Sequence, residues 1–499
     1  MPFQSSARQT KKYSPLAIGL GVAVTFCVYG YRFGTENHSV YLLDALRRCE
    51  PPVLQNDWFT TQTMQYHVAF TYLSEILMKL HLLQPGFFAI YLALVILFHI
   101  ACRGIVKHLG GGDGAYLICI ALYYLSAAGT ALGVYQFFQD SSLLPSNIAA
   151  VAWVMGIYLW LIRRPNWAGA CLGLAGIFHL NFALIGIPLW FVLNWKKNPL
   201  TFATMLAIIP SLINIALALP TKLSHSGGLS LSEFIDLYVR LRHPHHYDPA
   251  SWPIGLWFAA LWPIVPGFFL LRGSLKRIFV FFILLNLIAL IGAGIWYFNE
   301  TLVQMSLYRF SIYPQLLGCA AVGVAMARPL SRKRTDDLLG IVICLAIIVI
   351  CIIRGPFFGA FHMPGDDADY VALCRWASQN TPIDAIFLVP PDEQSMRLIG
   401  RRAIIVNYKS VPQLSSELAQ WRERLCDVLA TPDLNALPRG YVQTLPAIRQ
   451  RYDALSAQQL AAVAEKYHAQ YLVIAHAIAG MEHQLVDASG RYMLYDLSR

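Results

Sequence analysis

Between residues 15 and 354 the chain alternates long apolar runs with short polar breaks. Runs of about 20 residues with almost no charge are long enough to cross the hydrocarbon core of a bilayer as helices. They fall at about 15–32, 86–106, 115–134, 147–162, 200–219, 253–271, 277–298, 307–327 and 338–354. The run at 167–195 starts and ends beside basic residues. It is therefore predicted to be two short helices that turn back at Phe178–His179–Leu180–Asn181. Broken helices are tolerated in membranes where they face protein or a wet cavity. The segment 66–82, YHVAFTYLSEILMKLHL, carries Glu75 and Lys79 and is too polar for a span, so it is predicted to lie in the interface. The sum is a polytopic α-helical membrane protein of about eleven transmembrane helices.

After Pro364 the pattern changes to alternating helix and strand signals. DYVALCRWASQN is an amphipathic helix, and SAQQLAAVAEKYH is a second one with Ser456 as its cap. AIFLVPP, RAIIVNY, AQYLVIAH and GRYMLYDL read as four strands. Residues 363–499 are thus expected to form a small α/β domain after a membrane domain of residues 1–362.

Composition agrees with this pattern: 57% of residues are hydrophobic and 13% charged, with a mean hydropathy of +0.50. A net charge of +10 would suit nucleic acid, but the Lys and Arg residues sit in short clusters beside apolar runs, as in cytoplasmic loops, which excludes that partner. The clusters are Arg8–Lys12, Arg103–His108, Arg163–Arg164, Lys196–Lys197, Arg272–Arg277 and Arg328–Arg334. Placing all six inside puts the amino terminus in the cytoplasm and the carboxy-terminal domain outside. It also puts the loops 32–85 and 220–252 on the outer face. Basic Arg8, Lys11 and Lys12 before the run from Leu16 read as a retained start-transfer anchor, since no small-residue cleavage site follows. Most of the ten cysteines lie in apolar segments, while Cys49, Cys374 and Cys426 lie in polar ones, which leaves a disulfide among those three open. No Walker loop, nucleophile elbow, zinc helix or dinucleotide fingerprint occurs, and Gly110–Gly111–Gly112 lacks the following Lys-Ser/Thr.

Glu36, Asn37, His38 and Tyr41 follow the first span, His67 precedes the interfacial helix in QYHVAFTYLSEIL, the short helix pair lies at 167–195, and a soluble domain ends the chain. In this layout the chain resembles the GT-C class of integral-membrane glycosyltransferases that use polyprenyl-phosphate-linked donors. WASQNTPIDAIFLVPPD and KYHAQYLVI are also similar to tails of uncharacterised bacterial members. The resemblance covers nearly the whole chain as architecture. It implies an inverting enzyme of the bacterial inner membrane. Its partners would be the bilayer, a polyprenyl-phosphate-linked sugar and a glycan, lipid or protein acceptor, in cell-envelope polysaccharide biosynthesis. Glu36 stands where the class usually has Asp. A flippase for lipid-linked saccharides would need central charges and two related halves, which the chain lacks. A polysaccharide polymerase or ligase would share the outer-face loops.

Glycosyl transfer needs a base for the acceptor and an environment that stabilises the departing phosphate. The stretch Tyr31–Thr60 carries Glu36, Asp44, Glu50 and Asp57. Glu36, which the first helix would hold at the membrane surface, is the leading base, and Asp57, flanked by aromatics in QNDWF, is the second. Asp44 is expected to pair with Arg47 or Arg48. Asp140 in the next outer loop is a candidate for donor binding, and in the resembled class such an acid can help bind metal. The densest polar stretch is YVRLRHPHHYDP, Tyr238 to Pro249. It follows an interfacial helix whose Leu231, Phe234, Ile235 and Tyr238 share one face. Arg240, Arg242, His243, His245 and His246 there suit a lipid phosphate or pyrophosphate. His and Asp are also metal ligands, so a divalent ion (Mg or Mn) is a candidate cofactor, although H-P-H-H is not a zinc spacing. His179, at the turn of the short pair, and Arg309, in LYRFSIYP, complete the candidates for substrate contact. Arg354 reads as an interfacial anchor.

Overall fold

The computed structural model describes residues 14–34, 37–65, 67–126, 132–133, 138, 140–195, 201–224, 228–330, 335–355, 367–478, 480–481 and 483–497. Glu36 lies outside these residues, as do the clusters Arg8–Lys12 and Lys196–Lys197, Arg332–Arg334 and the junction at 362–363. The protein is a multi-pass α-helical membrane protein with a small carboxy-terminal α/β domain. Among the described residues, five helices are long and apolar enough to cross a membrane: Leu83–His108, Phe202–Leu219, Gly273–Ile295, Glu300–Leu330 and Thr335–Arg354. Shorter apolar helices at Pro15–Tyr29, Asp113–Leu125, Pro145–Leu161, Leu180–Leu193 and Ile254–Leu270 pack among them. Exposed Leu212, Ile213, Leu217, Phe268, Phe269, Val342 and Val349 give the bundle an apolar flank suited to lipid tails.

The expected short pair is present as Pro165–Phe178 and Leu180–Leu193. His179 ends the first helix and caps the second, its Nδ1 accepting from the Asn181 N–H at 3.3 Å. The first of the pair is held by close backbone approach. A Cβ on Gly169, Gly173 or Gly176 would lie 2.1–2.2 Å from the Ala203 carbonyl, the Leu206 carbonyl or the Ser211 hydroxyl of the Phe202–Ser224 helix. Small residues at such spacing let two membrane helices touch along their backbones. The interfacial helix predicted at 66–82 is Val68–Lys79, with the Glu75–Lys79 pair at 2.6 Å.

Two elements differ from the periodic reading. The apolar run at 307–327 is a 3-10 turn, Leu307–Ser311, followed by the helix Ile312–Leu330. The interfacial helix before the histidines is α-helical only over Leu231–Phe234, and Ile235–Arg242 is a π-helix. A box between Ser230 and Glu233 starts it. The wider π turn turns Tyr238, Leu241 and Arg242 to the buried side and leaves Arg240 toward solvent.

In the carboxy-terminal domain, β1 (Ile386–Leu388), β2 (Ala403–Ile404), β3 (Tyr471–Ile474), β4 (Gln484–Ser489) and β5 (Tyr492–Asp496) form one sheet in the order β2-β1-β3-β5-β4. β1 pairs parallel with β2 and β3, while β5 pairs antiparallel with β3 and β4. Four strands match the sequence expectation. β4 was not among them, because as an edge strand it is half exposed and lacks an apolar run. Helices Ala368–Asn380 and Ala457–Lys466 are as expected, the latter with Ser456 in a full capping box. Ser415–Val428 and Tyr441–Asp453 are further helices.

This domain is not a module hung on a tether. One apolar cluster joins Leu43, Trp58 and Phe59 of the first long loop and Tyr238 and Tyr247 of the third to Tyr408, Trp421 and Leu472 of the domain. All ten cysteines are free, so Cys49, Cys374 and Cys426 form no disulfide.

Candidate functional site

The first long loop begins where the Ser14–Tyr29 helix ends. Two residues beyond Glu36, His38 is fully buried. Its Nδ1 accepts from the Gly34 N–H at 3.0 Å, so its Nε2–H donates to the Leu143 carbonyl at 2.9 Å. Burial pushes its pKa down to about 4 and keeps it neutral at neutral pH. The same two loops are stitched by the Arg32 N–H to the Ser141 carbonyl at 2.6 Å. Asp140 is half-buried in this seam; its Oδ1 accepts from the Ser142 N–H and the Ser141 hydroxyl, each at 3.3 Å. The two loops thus bring the Glu36 segment and Asp140 to one corner of the molecule.

Asp57 is elsewhere. Its Oδ1 caps the helix Trp58–Gln62 by accepting from the Thr60 N–H at 3.0 Å. Its Oδ2 accepts from Arg397 Nε at 2.7 Å and the Ile404 N–H at 3.2 Å. The pair is sealed, with 1% of Arg397 and none of the Asp57 side chain exposed. Arg397 also donates to Asn407 Oδ1 at 3.2 Å and Ser410 Oγ at 3.0 Å. Both oxygens of Asp57 hold the carboxy-terminal domain onto the loop, an arrangement of a structural anchor. Asp44 pairs with Arg47 and Arg48, each at 2.9 Å, as expected.

The third long loop divides its cations. Arg240 pairs with Asp236 one turn back at 2.7 Å, with 42% of its side chain exposed. Arg242 is buried: Nε donates to the Tyr408 carbonyl at 3.0 Å and Nη2 to the Lys409 carbonyl at 3.2 Å. Its guanidinium lies over the rings of Tyr441 at 4.3 Å and Tyr408 at 5.0 Å. Neither arginine is placed with the histidines as the sequence suggested: one faces solvent and the other fastens the loop to the domain.

The histidines converge on Arg309. His67, His179, His243, His245 and His246 all lie within its electrostatic reach. The rings of His67 and His179 are 5.0 Å apart, and Tyr41 meets His67 at 4.9 Å. His245 and His246 are 4.0 Å apart, with His243 5.9 Å from His246. His246 Nδ1–H donates to the Gly133 carbonyl at 2.7 Å. Gly133 has φ +80°, and a Cβ there would lie 2.8 Å from the His246 carbonyl, so only glycine lets the second loop close on the third. Arg309 is half-buried and donates to the Tyr247 hydroxyl at 3.3 Å, which also takes a bond from Ser306 Oγ at 2.8 Å. Ser306 holds a left-handed φ of 52°, a strain that persists only where the surroundings impose it. Burial drives His67 and His245 down to about 3, and His243 and His246 well below their usual range. The chamber therefore presents neutral imidazoles around a guanidinium: one fixed positive charge with several N–H donors, suited to an anion.

Beside the chamber, a cleft of about 230 Å³ is lined by Thr63, Met64, Gln65, Val68, Asn214, Leu217 and Ala218. Asn214 donates to the carbonyls of Gly176 and Ile177, just before His179. The cleft thus runs from the apolar flank of the Phe202–Ser224 helix to the edge of the His67–His179 pair.

Sequence reasoning did not bring His67 into the site proper and missed Lys409. His67 had a signal, a lone histidine at the start of an interfacial helix. Lys409 had a weaker one, a cation in the loop that follows a buried parallel strand. Among the described residues no group of three His, Cys, Asp or Glu converges as metal ligands.

The family described as a domain of unknown function, DUF6798, matches residues 368–428. No curated protein matches the sequence. Among solved structures, the Archaeoglobus fulgidus oligosaccharyltransferase tethered to an acceptor peptide containing the NVT sequon is similar. The identity is 12% and the TM-score 0.52, over 93% of this chain and 69% of that one. At this identity the likeness is one of fold, and it gives this multi-pass membrane protein the architecture of a GT-C oligosaccharyltransferase.

Proposed function

We propose that the protein is a membrane glycosyltransferase of GT-C type that moves a sugar from a polyprenyl-phosphate donor to an acceptor at the outer face of a bacterial inner membrane. The observation that carries this reading is the convergence of Arg309 with His67, His179, His243, His245 and His246 beside a cleft that opens toward the lipid flank. The oligosaccharyltransferase-like fold supports it. In this reading the eleven-helix path starts inside and ends outside, and the carboxy-terminal domain faces the periplasm or exterior.

The chemistry follows from charge. The acceptor nucleophile attacks the sugar C1 as the bond from C1 to the phosphate oxygen breaks, which inverts the anomeric centre. The proton leaves to a carboxylate, with Glu36 the base and Asp140 beside it orienting the acceptor or donor. The electron pair stays on the departing phosphate, whose growing charge is met by Arg309 and the imidazole N–H groups. Asp57 acts by position only. A divalent Mg or Mn ion would need more ligands than Asp140 and the described residues bring together, so no step is assigned to one.

The test is transfer of radiolabelled sugar from a polyprenyl-phosphate donor in membranes carrying the full chain. Glu36→Gln and Arg309→Gln are expected to abolish it with the protein still folded. Full transfer by Glu36→Gln would remove Glu36 as base, and full transfer by both would sink the reading.

A further inference from the structure

The carboxy-terminal domain meets the membrane domain along one particular edge. β1 and β2 run parallel, and the loops that leave their carboxyl ends both touch the membrane domain. After β1, Gln394 Oε1 accepts from the Ser39 hydroxyl at 3.4 Å. After β2, the carbonyls of Tyr408 and Lys409 receive Arg242. The carboxyl edge of parallel strands is where open α/β sheets present their loops to ligands. Here that edge is set against the loop that carries the histidines. The Gly440 N–H donates to the Leu241 carbonyl at 2.8 Å, and a Cβ on Gly440, whose φ is +97°, would lie 3.5 Å from Pro244. Pro244 is the residue before His245.

Lys409 stands at this junction. Its ammonium lies 5.4 Å from the centroid of the Tyr441 ring, the ring that also carries Arg242, and it is half-buried. It is within electrostatic reach of His245, as is Arg309. His245 therefore has a cation from the membrane bundle and a cation from the carboxy-terminal domain near it. The seam itself uses the Lys409 carbonyl. Changing the side chain leaves that contact in place.

We infer that Lys409 is an anion-binding residue of the chamber, supplied by the carboxy-terminal domain to hold the phosphate of the lipid donor together with Arg309 and His245. The inference rests on the glycosyltransferase reading and deepens it, because it makes the domain part of the donor site. A domain that only covered the loops would need no ammonium here. An ammonium within reach of buried neutral imidazoles is costly unless an anion shares the space.

The experiment uses the purified full chain in detergent and farnesyl phosphate as probe, with farnesol as the uncharged control. Binding is read by calorimetry, and unfolding temperature is measured for each variant. Farnesyl phosphate is expected to bind and farnesol to bind far more weakly. Lys409→Gln should weaken farnesyl phosphate about tenfold, the effect of one lost charged contact, with the farnesol control and the unfolding temperature unchanged. Lys409→Arg should restore most of the affinity. In transfer assays the same loss should appear in KM and leave kcat nearly intact. If Arg309→Gln loses binding while Lys409→Gln binds as wild type, the inference fails and the glycosyltransferase reading stands. If neither substitution weakens farnesyl phosphate, both fail.

Discussion

The seam between the domains and the histidine chamber lie side by side and are built from the same kinds of residue, yet they differ in how the charge is used. At the seam, Arg397 has Asp57, Asn407 and Ser410, and Arg242 has two carbonyls and two aromatic faces. In the chamber, Arg309 shares its space with five imidazoles and no carboxylate partner is paired with it among the printed ion pairs of the described residues. A guanidinium matched to fixed acceptors is a fastener, because moving it would strand a buried charge. A guanidinium ringed by neutral donors is short of acceptors, and an anionic ligand supplies them. The difference teaches that the richest cluster of cations in a sequence is not the site. What matters is which of them the fold leaves facing donors.

The comparison can be broken most directly at the seam. Asp57→Ala strands Arg397 in a buried position, and a loss of about 3–5 kcal/mol is expected for a broken buried pair. Limited proteolysis of the carboxy-terminal domain and thermal unfolding would register it, and an unchanged melting curve would show that the pair does not fasten the domain. Arg242→Met is the next largest effect. It leaves the Tyr408 and Lys409 carbonyls without their donor, and about 1–3 kcal/mol is expected for an orphaned buried polar group. Donor binding should weaken in step, since the histidine loop is released from the domain.

Arg309→Gln should behave in the opposite manner, with little change in unfolding and a fall in sugar transfer of about a hundredfold or more, as for lost charge stabilisation of a leaving group. A variant that unfolds instead would move Arg309 to the fasteners.

Acid sharpens the contrast further. His38, His67 and His245 have folded pKa values of about 4, 3 and 3, below the usual value for histidine. Between the folded and unfolded values the unfolded chain binds more protons, so stability rises with pH across that window. The contribution is complete above about pH 6.5 and is lost as the pH falls toward 4 and then 3. Melting temperature measured from pH 7.5 down to 4.5 should drop, and His67→Gln and His245→Gln should flatten the slope. The smallest effect is expected at Arg240. It is exposed and paired only with Asp236, so Arg240→Ala should leave both unfolding and transfer unchanged.

Much of this fold is written in local pattern. The interfacial helix at Val68–Lys79, the reversal at His179, the capped helix after Ser456 and the buried strands of the terminal domain all follow from spacing of apolar residues and a few polar stops. β4 escaped because an edge strand with one wet face carries little apolar signal. The π-helix at Ile235–Arg242 escaped because the apolar positions there suit an ordinary α-helix, and only packing against the domain selects the wider turn. That single turn separates Arg240 from Arg242, two residues the sequence presents as equivalent.

The sequence by itself determined the class of the protein: apolar runs of bilayer length, basic breaks between them and a terminal α/β pattern are local properties set by the cost of burying polar groups and charge. It also pointed to the right loops. Only the tertiary structure decided what each charged residue does. Asp57 meets Arg397 across 340 positions and Arg242 meets Tyr408 across 166. Whether a carboxylate is a base or an anchor depends on what fills its lone pairs. That is fixed by contacts between distant segments, which no spacing along the chain records.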